Sequence, residues 1–141
     1  MSKYQEIYKE AHYLVLLPGD LGIDIEVFFR IKQENPQIDK LIELHGQQTA
    51  CFITACNPKG ERINDKENLM RMQELESILQ QKQLPYYFGQ GGDSKGAWIE
   101  KSLLIVGIDK NLADQLAHQY EQNAVVWFEL GNTPTLRWYI E

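Results

Sequence analysis

The chain has 141 residues, 43% hydrophobic and 24% charged, a balance that suits one folded domain around one core and excludes a disordered chain. Twenty acidic against 14 basic residues give a formal charge of −6, so general binding to a phosphate backbone is not expected. The longest apolar runs, residues 13–17 and 103–106, fall well short of the roughly 20 residues of a membrane-spanning helix, and residues 1–10 lack the apolar stretch of a signal peptide. A cytoplasmic protein is expected.

In chain order, residues 3–10 read as a short helix. Ser2 and Gln5 have the spacing of a capping box, and Tyr4, Ile7, Tyr8 and Ala11 form its face. Residues 13–17 and 24–31 read as strands joined through Pro18-Gly19-Asp20, a possible hairpin. Asn35-Pro36 opens a helix with face residues Ile38, Leu41 and Ile42, and Gly46 closes it. Residues 49–56 read as a buried strand. Cys51 and Cys56, five apart within it, would point to opposite faces, which argues against a disulfide and fits a reducing compartment. After a loop at residues 57–62, Asn64 and Glu67 cap the longest helix, residues 65–81. A strand at 85–89, a glycine-rich loop at 90–96, a buried strand at 101–108 and a helix at 111–121 follow. Strands at 124–130 and 135–140, joined by a Gly131-Asn132-Thr133-Pro134 turn, close the chain. The order implies an α/β (α+β) fold: a single mixed β-sheet of about six to seven strands covered by three to four helices. Helical crossovers would make some strand pairs parallel, and hairpins would make others antiparallel.

Several residues break the pattern of a packed core. Asn68 falls at nearly the same helical angle as Met72, Leu75 and Leu79, so an amide points toward the core side. It either ties the preceding loop through backbone bonds or lines a ligand site. That loop, which leads from a strand into a helix N-terminus and carries Lys59 and Arg62, would favour an anion; Glu61 and Asp65 oppose one, and Asn-Pro-x-Gly is also a plain turn signal. The run Gly89-Gln90-Gly91-Gly92-Asp93-Ser94-Lys95-Gly96 is not a phosphate loop, because Lys95 precedes Gly96 and a strand follows. It reads as a flexible connection or a lid. Trp98, Glu100 and Ser102 alternate on one side of a strand, so Glu100 is either a base or acceptor for a ligand, a solvated strand end, or a partner of Arg71. Asn123 suits the left-handed cap after the last helix, whereas Gln122 has no comparable explanation.

Standard catalytic sets are missing. His12, His45 and His118 show no metal spacing, no nucleophile elbow is present, and Cys56 reads as a buried thiol; neither metal nor cofactor is implied. Trp127, Phe128, Trp138 and Tyr139 in the terminal hairpin pack in the core or form a partner surface.

The segments Thr54-Ala55-Cys56-Asn57-Pro58, Glu67-Asn68 with Arg71 and Leu75, Trp98-Ile99-Glu100-Lys101-Ser102 and Gln122-Asn123-Ala124 resemble the bacterial family of unknown function numbered 3293, across roughly residues 13–140. Cys56 departs from the family's pattern, where an aromatic residue is usual. The resemblance implies no reaction, but it singles out Asn57, Asn68, Glu100 and Gln122. The expected site is one polar pocket at strand ends, with Asn57, Asn68, Arg71 and Glu100 together, Gln122 or Asn123 at the rim, and Arg62 in the adjoining loop. It would take a small polar or anionic ligand, with Glu100 the candidate acid–base group, Asn57 and Asn68 positioning the substrate, and Arg71 holding a charged group. Two other readings stand beside this one. The aromatic hairpin serves as a protein-interaction or homo-oligomer surface, or the acidic surface mimics nucleic acid.

Overall fold

The computed structural model describes residues 3–93, 95–96 and 98–140, with the side chains of Lys3, Tyr4 and Gln5 excepted, so the Ser2–Gln5 cap lies outside the described residues. Helix α1 (Lys3–Lys9) leads into a hairpin of β1 (His12–Pro18) and β2 (Asp24–Phe29), followed by α2 (Pro36–Leu44) and β3 (Thr49–Ile53). Helix α3 (Asp65–Gln81) precedes the β4 (Tyr86–Gly92) and β5 (Ile99–Val106) hairpin, then come α4 (Lys110–Gln119), β6 (Ala124–Glu129) and β7 (Thr135–Trp138). Local chemistry sets the helix starts. Asn35 accepts from the Ile38 N–H with Pro36 in the first turn, Asn64 accepts from Glu67, and Asp109 accepts from Leu112.

All seven strands join one sheet in the order β2-β1-β4-β5-β3-β6-β7, and every pairing is antiparallel. The expected parallel pairs do not form, for a topological reason. Helix α3 carries the chain from β3 to β4, two strands that run the same way, but β5 lies between them; α4 likewise joins β5 to β6 across β3. Each crossover is present, and an antiparallel strand fills the gap it leaves.

The two sheet faces carry separate cores. Helices α3 and α4 pack Met72, Leu75, Leu79, Ala113, Leu116 and Ala117 on Cys51, Ile53, Leu103, Ile105, Val125 and Trp127. On the opposite face α2 packs Ile38, Leu41 and Ile42 over Val15, Val27, Phe29, Phe52, Leu104 and Val126.

Several local expectations are corrected. The strand read as residues 49–56 stops at Ile53, so the alternation that put Cys56 opposite Cys51 ends first. Both are free thiols buried in the core under α3 and α4. Strand β4 runs on through Gly92, because Gly89, Gly91 and Gly92 pair with β1 on one side and β5 on the other. Much of the glycine run is therefore sheet interior rather than a flexible connection. After α4 the left-handed residue is Glu121 (φ 53°), not Asn123, since the helix ends earlier than the sequence suggested.

Candidate ligand-binding site

The α2 face of the sheet has a bare end. Row by row, β1, β4 and β5 pair Tyr13 with Gly91 and Gly91 with Glu100, and the next row brings Gly89 beside Ser102. A methyl group on Gly89 would lie 2.4 Å from the Leu14 carbonyl oxygen, and one on Gly91 would meet the Tyr13 ring at 3.1 Å. Glycine at these positions lets β1 and the Tyr13 ring lie close across β4. Small residues at Gly91, Gly92, Thr54, Ser102 and Ala124 leave a cavity of about 350 Å³, walled by Tyr13, Phe52, Trp98, Val126 and Leu136 and bordered by Ile7 and Tyr8 of α1 and by Ala11 just after it. That volume is in the range of small-molecule sites.

Glu100 lines this cavity. Its Oε2 accepts from Asn57 Nδ2 at 3.0 Å, and the Trp98 side chain donates to the same carboxylate. Burial raises its pKa above the usual carboxylate value, and these two bonds offset part of the rise. Asn57 is buried in the left-handed conformation, and its whole polar inventory is engaged. Its N–H donates to Asn68 Oδ1 (2.9 Å), and its Oδ1 accepts from Asn68 Nδ2 (2.9 Å) and from the Ile63 N–H (3.1 Å). A relay thus runs from α3 through Asn68 and Asn57 to Glu100.

The rest of residues 54–60 is tied as closely. Thr54 donates to the Lys101 carbonyl and accepts from the Cys56 N–H. Arg71 donates to the carbonyls of Ala55 and Tyr120, and Gln122 Nε2 donates to those of Cys56 and Tyr120. Gln122 lines the cavity, and its Oε1 accepts no hydrogen bond among the described residues, so that oxygen is an available acceptor.

The structure therefore brings most of the sequence-derived residues together, in different roles from those expected. Asn57, Asn68 and Glu100 form one bonded chain, and Arg71 and Gln122 share the Tyr120 carbonyl. Of the seven, only Glu100 and Gln122 line the cavity. Asn57, Asn68 and Arg71 spend their polar atoms inside the protein and fix the segment that orients Glu100. Arg71 is bonded to backbone oxygens where a pairing with Glu100 was one expectation. Asn123 is buried, with Nδ2 3.5 Å from the Tyr8 hydroxyl, and the Arg62 guanidinium stacks on Trp98 at 4.7 Å. Lys59 reaches Glu121 at 3.5 Å.

Sequence reasoning missed Tyr8, Tyr13, Phe52 and Gly91 as cavity residues; the β-alternation of Tyr13 and Gly91 was the available signal. In the terminal hairpin Trp127 and Phe128 are buried, Trp138 stacks on Tyr8, and Tyr139 donates to Asp114. Among the described residues no group of His, Cys, Asp or Glu is placed to hold a metal ion, and no helix is long and apolar enough to cross a membrane.

Fold and site together define a class: an α/β protein with one antiparallel sheet, whose half-covered face holds an apolar cavity with a network-held carboxylate. Within that class the chain belongs to the family described as protein of unknown function (DUF3293), whose sequence model matches residues 53–125. The match is shorter than the span the motifs suggested. It begins at the end of β3 and closes in β6, so it takes in the tied segment, α3, Glu100 and Gln122. Comparison with curated proteins and with solved structures gives no match.

Proposed function

We propose that the protein binds a small organic molecule in the cavity on the α2 face, with Glu100 as the polar anchor. The observation that carries this reading is the pairing of an apolar cavity of about 350 Å³ with one carboxylate held in place from behind by Asn57. A recognition site needs a mostly apolar lining with a few oriented polar groups. Glu100, Ser102 and the Gln122 amide oxygen supply them. Binding is better supported than turnover, because the amides that would position a substrate are occupied in holding Glu100. An anionic ligand is the less favoured choice, since Lys59, Arg62 and Arg71 are engaged elsewhere and none of them lines the cavity.

The test is thermal unfolding against a panel of compounds with small apolar bodies and neutral, cationic or anionic heads. A ligand at 100 times its dissociation constant adds about 2.7 kcal/mol, a shift of several degrees for a chain of this size. Ala124→Ile, which fills the cavity floor, should abolish the shift. If no compound stabilises the wild type, or Ala124→Ile leaves every shift intact, the reading fails.

A second reading, a protein-interaction surface, draws on β2 rather than on the aromatic hairpin. β2 is an edge strand, and Ile23, Ile25 and Phe28 at that edge are exposed. Sedimentation of wild type and Phe28→Lys would reveal self-association through it.

A further inference from the structure

We infer that the cavity takes a cationic amine, a small alkyl- or arylammonium ion whose charge sits against Glu100 and whose carbon body lies among Tyr8, Tyr13, Phe52 and Trp98. This rests on the ligand-binding reading above and names the ligand's class.

The first observation is a charge without a counter-charge. Glu100 is a largely buried carboxylate whose two bonded partners, Asn57 and Trp98, are neutral. The ion pairs Lys59–Glu121, Lys110–Glu129 and Arg137–Asp114 do not involve it. A carboxylate removed from water without a cation is costly, and the cost is relieved when a cation arrives. An ionised carboxylate offers about four acceptor positions, so its two present bonds leave room for an ammonium.

The second observation is the lining itself. Among the described residues it contains Glu100 and Asp93 and no lysine, arginine or histidine. An anionic head would meet the Glu100 carboxylate. A neutral head would leave Glu100 uncompensated. A cation alone answers the field of the site.

The third observation is aromatic. Four of the walls are Tyr8, Tyr13, Phe52 and Trp98, and aromatic faces attract ammonium ions, most strongly when water is excluded. Trp98 already shows this preference, since the Arg62 guanidinium lies over its ring. The volume limits the body: a cavity of about 150 Å³ takes benzene, so about 350 Å³ takes roughly a dozen heavy atoms.

The experiment titrates three probes with chains of six carbons, hexyltrimethylammonium, hexan-1-ol and hexanoate, into wild type, Glu100→Gln and Ala124→Ile, with affinities from calorimetry. The ammonium should bind wild type about tenfold or more tighter than the alcohol, with hexanoate weakest. In Glu100→Gln the ammonium should lose its advantage and fall to the level of the alcohol, and retained binding of the alcohol shows that the cavity is intact in that variant. Ala124→Ile should weaken all three. Equal binding of ammonium and alcohol, tighter binding of hexanoate, or a cation preference that survives in Glu100→Gln would overturn the ligand class and leave the cavity reading standing. Absence of binding by all three probes to wild type would overturn both.

Discussion

Replacing Asn68 with alanine tests the relay behind Glu100 most directly. The substitution keeps a good helix former in α3 and removes two hydrogen bonds, each 2.9 Å, to the side chain and the backbone of Asn57. The Asn57 side-chain oxygen keeps the Ile63 N–H, so that loss is an ordinary one of about 0.5–1.5 kcal/mol. The Asn57 N–H has no such reserve. Asn57 is only 7% exposed, and an unpaired buried donor costs about 1–3 kcal/mol. The two effects together predict a destabilisation of about 2–4 kcal/mol, large for one exchange on a helix. Urea unfolding should show it as a fall in midpoint at constant m-value, with Asn64→Ala as a comparison that loses only a helix cap, about 1 kcal/mol. A loss for Asn68→Ala no greater than for Asn64→Ala would refute the relay and leave Asn68 an ordinary partly buried residue.

Two further outcomes follow from the geometry. Gly89→Ala places a methyl group 2.4 Å from the Leu14 carbonyl and must part β1 from β4, whereas Gly91→Ala presses only on the Tyr13 ring; chemical denaturation should show a cost of about 1–3 kcal/mol for the first and distinctly less for the second. Asp114 receives both a forked pair from Arg137 and the Tyr139 hydroxyl, which lowers its pKa from 3.8 to about 2. A depressed carboxylate stabilises the fold above its unfolded pKa and loses that contribution as pH falls through the folded one. Asp114→Asn should therefore be less stable than wild type at pH 7, by about 1 kcal/mol or less for so exposed a pair. The gap should close between about pH 4 and pH 2; a gap of constant size down to pH 2 would show that the pair contributes through packing instead.

The helices were legible because their signals are local. Asn35-Pro36 and Asn64 with Glu67 announce their caps within four residues, and the observed bounds of α3 match the reading. Strand limits were less legible because partners decide them. Gly89 to Gly92 look like a loop in isolation and become strand because β1 and β5 pair with both sides. The antiparallel order was hidden for the same reason: sequence shows that a helix joins β3 to β4, but not that β5 will occupy the space between them. At the site, Asn57, Asn68, Glu100 and Gln122 stood out as polar groups where packing predicts apolar ones. Their division of labour did not, since which amide faces a cavity and which faces another amide depends on the turn at Asn57. The cavity was invisible because its walls, Tyr13 and Trp98 among them, come from distant parts of the chain.

The sheet order also dictates a timetable for assembly. Hairpins β1–β2, β4–β5 and β6–β7 join neighbours in the chain, but β3 pairs with β5 and β6, both of which lie far downstream. During synthesis at about 5–20 residues per second, β3 therefore waits several seconds for its neighbours to emerge. The segment that leaves β3 and carries Asn57 waits with it. Until that central gap closes, Glu100 has its strand but not its amide partner. The cavity, walled by Val126 of β6 and Leu136 of β7 as well as by Tyr13 and Trp98, is thus complete only once the last two strands have joined the sheet.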